Sequence, residues 1–273
     1  METNLLGLDR EELLTRVLED ATGPVLVVNP APAVVEATVA AGAALAGDHP
    51  TIRVLADEST LKTVFADFIQ ASRAADLVES GHLSLRTSES LPQNAVVVTD
   101  DAVVALVTAD ENVGGLVASD APFVDEAVGT YTDDWEAADE YGLRTPAIST
   151  VRSTMDDELG PDVTHDFDGV LASLETARGD DDDLDEVTVS LLVAARNEEL
   201  LYDVSKWGED VGIASKATFS RTKTRLEDRG IIDTEKVPIE VGRPRLRLKL
   251  ADERLQEADP ADLASVAQSV LAS

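Results

Sequence analysis

The chain has 273 residues, enough for two domains that each bury a core, and a hydrophobic content of 44% excludes a disordered chain. Fifty-four Asp and Glu against 22 Lys and Arg give a formal net charge of −32, a balance suited to molar salt, where a dense carboxylate surface holds water and cations. The absence of Cys excludes a disulfide framework, a zinc ribbon and a thiol nucleophile.

Asp9 and Glu12 have capping-box spacing ahead of a helix carrying Leu13, Leu14, Val17 and Leu18. Residues 24–29 (PVLVVN) read as a strand buried on both faces, 32–46 as a helix ending near Gly47, and 51–56 as the next strand. Residues 58–78 place Leu61, Val64, Phe65, Phe68 and Ile69 on one helical stripe. Strands are expected at 82–86, 95–99 and 102–108, the last two joined as a hairpin across Asp100 and Asp101. Gly114 and Gly115 precede a short apolar run, Leu116 to Ala118. Helices follow at 122–141, with Trp135, and at 163–176.

Residues 179–183 (GDDDD) form a charge run that a packed core would not choose, so the linker is placed at 179–184. This sets an α/β fold. An N-terminal mixed or parallel α/β sheet domain (1–178), for sensing or dimerisation, precedes a winged helix-turn-helix (185–250). A C-terminal segment (251–273) follows, whose helix is either a dimer contact or folded back on its own domain.

The second domain carries the chemistry. Two short helices at 187–195 and 199–211 lead to Gly212-Ile213-Ala214-Ser215, in which Gly turns the chain and Ser215 caps the next helix. That helix, 216–228, buries Phe219 and Leu226 and stops at Gly230. Its other faces present Lys216, Thr218, Ser220, Arg221, Lys223, Thr224 and Arg225, donors suited to a major-groove edge. Strands at 231–238 and 245–250 form the wing, with Arg243, Arg245 and Arg247 at spacing two on one face. Between Ser205 and Lys249 eleven basic residues face seven acidic ones, a local charge of +4, which leaves −36 on the rest of the chain. Cations gathered on one helix and one hairpin of so acidic a chain point to double-stranded DNA as the partner. A wing used only for packing does not call for that reversal of charge.

The segments GIASKATFSRTKTRLEDRGII and VGRPRLRLKL, together with GPVLVVNPAPAVVEA, LRTSESLPQNAVVVTDD and WEAADEYGLRTPAIS, resemble the TbsP family of haloarchaeal transcription regulators over nearly the whole chain. The resemblance implies an archaeal, cytoplasmic, DNA-binding regulator of central carbon metabolism. It also implies action on glycolytic and gluconeogenic genes beside the sugar-responsive TrmB-type regulators. The domain order here departs from those regulators, in which the winged helix leads.

In the first domain basic residues are sparse. Arg86, Thr87 and Ser88 sit in one phrase and Arg144 and Thr145 in its near repeat, with Arg152 shortly after. If these segments meet at strand ends they form a pocket for a sugar-phosphate effector; the alternative is that each Arg pairs with neighbouring carboxylates or bridges subunits. Nucleotide-binding, metalloprotease and nucleophile-elbow motifs are missing, and His49, His82 and His165 lack metal-ligand spacing. No catalytic residue, cofactor or metal is therefore expected. No apolar run of about 18 residues occurs and no basic region precedes an apolar stretch at the start, so no membrane role is expected. The reading is a sequence-specific transcription regulator, expected to be a homodimer. The alternative from another class is an adaptor whose winged helix meets protein.

Overall fold

The computed structural model describes residues 4–45, 50–109, 112–174, 177, 184–238 and 244–271. They fall into two compact units, Met1–Ala66 with Gln70–Leu143, and Asp67–Ile69 with Arg144–Ser273. No helix among the described residues is long and apolar enough to cross a membrane.

The first unit runs α1 (Arg10–Asp20), β1 (Val25–Val28), α2 (Pro32–Ala44), β2 (Ile52–Ala56), α3 (Glu58–Phe65), α4 (Phe68–Glu79), β3 (Leu83–Thr87), β4 (Val96–Val98), β5 (Val103–Ala109), β6 (Asn112–Ala118), α5 (Ala121–Ala137) and β7 (Asp139–Glu140). Its seven strands form one sheet in the order β6-β5-β4-β1-β2-β3-β7. The β1, β2 and β3 neighbours are parallel and the remaining pairings antiparallel, so the sheet is mixed. Alternation along the strands builds three layers. Val25, Val27, Ile52, Val54, Val97 and Val104 face a core shared with α1 to α4. Leu26, Val28, Leu55, Val96, Val98 and Val103 face the other core, which α5 closes with Val124, Ala127 and Trp135. The capping box of Asp9 and Glu12 forms on α1.

Two local readings change. The run of 58–78 is two helices, because the buried carboxylate of Asp67 accepts the N–H groups of Ile69 at 2.9 Å and Ala177 at 3.0 Å and starts a new helix there. Its apolar stripe divides accordingly: Leu61 and Val64 enter the first unit's core, Phe68 and Ile69 the second unit's. Gly114 and Gly115 lie inside β6 instead of ahead of it. Leu5 exchanges two 2.8 Å backbone hydrogen bonds with Gly115, and a Cβ at Gly115 would stand 2.8 Å from Val104 Cγ1 and 3.3 Å from Leu5 Cβ.

The second unit continues with α6 (Ile148–Leu159), α7 (Pro161–Ser173), α8 (Glu186–Arg196), α9 (Leu201–Val211), α10 (Lys216–Asp228), β8 (Ile232–Val237), β9 (Arg245–Leu250), α11 (Glu253–Glu257) and α12 (Pro260–Leu271). Residues Val187 to Ala195 of α8 are all buried, and α7, α9, α10 and β9 pack around it. The division between units therefore falls at Leu143/Arg144, ahead of the acidic run on which the sequence reading placed its linker. Val151 and Met155 of α6 and Val163, Phe167 and Val170 of α7 belong to the same core as the winged helix. Asp166 of α7, almost buried, accepts from Arg196 Nε at 3.1 Å and Asn197 Nδ2 at 2.8 Å, which compensates its charge and ties α7 to the end of α8. Residues 178–183 lie outside the described residues, while Ala177 and Leu184 on either side are fully buried in this one core.

The segment after the wing holds two helices where one was read. Leu263, Ala264, Ala267 and Leu271 of α12 are buried, packed on α7 within the same unit, and Arg229 Nη1 donates to the Leu271 carbonyl at 2.9 Å. The apolar face of α12 is thus covered inside its own unit.

Candidate nucleic-acid interface

The helix-turn-helix is made by short-range signals. Gly212 ends α9 in the left-handed region at φ 92°, where a side chain would be strained, and the Ile213 N–H donates to the Gly208 carbonyl at 2.8 Å. The Ser215 hydroxyl accepts the Thr218 N–H at 3.2 Å and starts α10. The two helices approach closely at Gly208, where a Cβ would lie 2.3 Å from the Phe219 ring.

Packing fixes which face of α10 is free. Phe219, Thr222 and Leu226 are buried, so Lys216, Ser220 and Thr224, one turn apart, and Arg221 beside them face solvent, with Thr218 half-buried. Arg221 meets only the Thr218 hydroxyl, at 3.3 Å, and no carboxylate among the described residues pairs with it. Two of the expected contacts are held elsewhere. Lys223 is 12% exposed and bound at 2.6 Å to Glu227, which also accepts from Thr234. Arg225 reaches sideways to the Thr188 hydroxyl of α8 at 3.1 Å.

The wing is a β8–β9 ladder from Ile232↔Leu250 to Val237↔Arg245. A single antiparallel bridge, Leu200↔Arg247, tethers the entry to α9 to β9, and the Leu248 N–H donates to the Glu199 carbonyl at 2.8 Å. Burial of Leu248 and Leu250 leaves Arg245, Arg247 and Lys249 on the opposite face. Arg245 stacks over the Tyr202 ring, 4.2 Å from its centroid, and pairs with Asp203 at 3.2 Å. Burial pushes the Glu199 carboxyl above its ordinary range, Asp203 adds to the rise, and Arg247 opposes it. Arg243, expected at the wing tip, lies outside the described residues.

Leu201, Tyr202 and Ser205 of α9, Lys216 and Ser220 of α10, and Pro244, Arg245 and Leu246 of the wing line an open groove of about 480 Å³. Lys216, Ser220 and Arg245 thus converge, with Arg221 and Thr224 further along the exposed face of α10. Tyr202 and Ser205 escaped the sequence reading. The signal was an aromatic at a polar position of an amphipathic helix, in a chain with only three Tyr.

The residues named for an effector are divided between the units. In the first, Arg86 donates to the Trp135 carbonyl at 2.7 Å, stands 5.0 Å from the centroid of that ring and lies 3.8 Å from Glu140. Thr87 ends β3 opposite Asp139, and the Ser88 hydroxyl bonds to the backbone of Ser90. In the second, Arg144 is exposed, Thr145 half-buried, and Arg152 is paired with Asp168 at 2.7 Å.

Residues 2–146 match the family model for the N-terminal part of TbsP-like transcriptional regulators, and residues 147–268 match the model for their C-terminal HTH domain. The junction between the matches lies close to the division between the structural units. No curated protein matches the chain. Among solved structures, one described as that of TrmBL2, an archaeal chromatin protein with a novel mode of DNA binding, aligns at 15% identity with a TM-score of 0.37. The alignment covers 51% of this chain and 54% of that one, so about half the length of each.

Proposed function

Because the chain belongs to the family of TbsP-like transcriptional regulators, we propose that it recognises a specific double-stranded operator, with α10 in the major groove and the wing along the adjacent backbone. The observation that carries this reading is the exposed face of α10. There Ser220, Arg221 and Thr224 stand exposed beside Lys216 and Arg245, in a chain whose remaining residues carry a strong net negative charge.

Roles follow from chemistry. Arg221 is long, cationic and without a carboxylate partner among the described residues, which suits bidentate contact with a guanine edge; Ser220 and Thr224 suit shorter contacts. Lys216, Arg245 and Arg247 suit phosphates. Lys223 is taken up within α10 by Glu227, which in turn accepts from Thr234 of the wing, and Arg225 ties α10 to α8. The resemblance to the TbsP family supports cytoplasmic control of sugar or central carbon metabolism genes and work in molar salt. Recognition of a two-fold operator favours a homodimer.

Selection of genomic fragments by the full chain in molar KCl, followed by gel shift against unrelated DNA, tests the reading. Enrichment of a common sequence motif supports it. Equal retention of all fragments, or of none, contradicts it and favours a winged helix that meets protein.

A further inference from the structure

The groove beside α10 has an uncommon charge arrangement, because its cations are already matched by carboxylates from one helix. Arg245 of the wing is paired with Asp203 at 3.2 Å, and Lys216 of α10 with Glu209 at 2.8 Å. Both acids belong to α9, the helix that lines the groove between those two elements. Each grip is doubled. Arg245 also lies over the ring of Tyr202, and Glu209 accepts the backbone N–H of Lys216 at 3.3 Å as well as its ammonium. Lys206, on the same helix, is bonded to Asp210 and stands 3.7 Å from Glu158. Arg221 on the exposed face of α10 has no such partner among the described residues.

We propose that Asp203 and Glu209 determine the DNA specificity of this protein by occupying the phosphate-facing cations Arg245 and Lys216 in the free state. The proposal rests on the DNA-binding reading given above. A duplex that takes Arg245 or Lys216 exchanges a carboxylate for a phosphate, so it gains the difference between two ion pairs instead of a whole one. The displaced carboxylate then stands near a phosphate, which adds repulsion. A cation that is internally paired also gathers less of the phosphate's counterion release.

Non-specific binding depends almost entirely on phosphate contacts, whereas a true operator also engages Ser220, Arg221 and Thr224 at the base edges. Internal pairing therefore lowers affinity for random DNA more than affinity for the operator. The hydrogen bond between the side chains holds the Lys216 ammonium above its ordinary range and the Glu209 carboxyl below its own. Both shifts run in the direction that favours the charged forms of the pair.

The test measures binding of the full chain to a random-sequence duplex and to a duplex from the selected fragments, by fluorescence anisotropy over the range of KCl concentrations in which thermal melting shows the chain folded. The wild type is compared with the Asp203→Asn/Glu209→Gln double variant, thermal melting being checked for both. The proposal expects the variant to bind random DNA about tenfold more tightly, with a smaller gain on the selected duplex and a steeper dependence on salt.

Lys216→Gln serves as the second variant. It should cost little affinity in the wild type and several-fold more in the Glu209→Gln background. A folded double variant with unchanged or weaker affinity overturns the proposal, as does an equal cost of Lys216→Gln in both backgrounds. Failure of the wild type and the variants alike to bind any duplex overturns the DNA reading itself, and this proposal with it.

Discussion

The indole Nε1 of Trp207 donates to the Thr154 hydroxyl across 3.0 Å, with the Trp207 ring fully buried. This bond joins the first helix of the helix-turn-helix to α6, a helix that precedes the acidic run by some twenty residues. It makes α6 part of the platform that supports the recognition helix. Thr154→Val leaves the buried N–H without its acceptor and is expected to cost about 1–3 kcal/mol in a denaturant titration. A loss well under that range would show that the bond adds nothing to the unit's stability.

Gly208 is the place where α9 and α10 meet. The Cβ of Gly208→Ala would stand 2.3 Å from two carbons of the Phe219 ring, and neither helix backbone can retreat without moving α10. Overpacking of about 1–3 kcal/mol is expected, together with weaker binding of duplex DNA, because the exposed face of α10 moves with Phe219. Calorimetry and anisotropy on the same sample check both parts.

Glu186, in the first turn of α8, titrates above its ordinary range because it is desolvated, with Asp185 and Asp67 adding repulsion. For an acid raised on folding, ionisation is penalised in the native state. Stability is therefore lost as pH rises through the folded value and regained as it falls toward the ordinary glutamate value of 4.5. Glu186→Gln should raise the melting temperature at neutral pH and leave it unchanged at pH values below the unfolded one. An equal effect at both pH values would point to a cause other than ionisation.

With a formal charge of −32, the surface repels itself wherever counterions are scarce. Dialysis from molar KCl to dilute buffer should lower the melting temperature or loosen the fold. An identical melting curve in both conditions would refute this.

The recognition helix was legible in the sequence because its signals are local. Ser215, Phe219, Leu226 and Gly230 fix its start, buried face and end within sixteen residues. What escaped was decided at long range. The break between α3 and α4 depends on Asp67 meeting the N–H of Ala177, 110 residues away. The membership of α6 and α7 depends on which core accepts their apolar faces, and the acidic run between α7 and α8 says nothing of that. At the site, Lys223, Arg225 and Arg221 look alike in sequence. Glu227 and Thr188 take the first two, and only packing reveals that Arg221 stays outward. Tyr202 joins the groove because the wing brings Arg245 over its ring, a pairing of residues 43 positions apart in the chain.

The outward face of α10 is the part of the molecule on which the regulatory reading stands. It is tested most directly by titrating a selected duplex with the wild type and with Arg221→Ala at one fixed, high salt concentration. The exposed position predicts an unchanged melting temperature and an affinity loss of about 1–3 kcal/mol, roughly fivefold to a hundredfold, with relaxed discrimination at a single base pair. Binding by the folded variant at full affinity and undiminished selectivity would contradict the account.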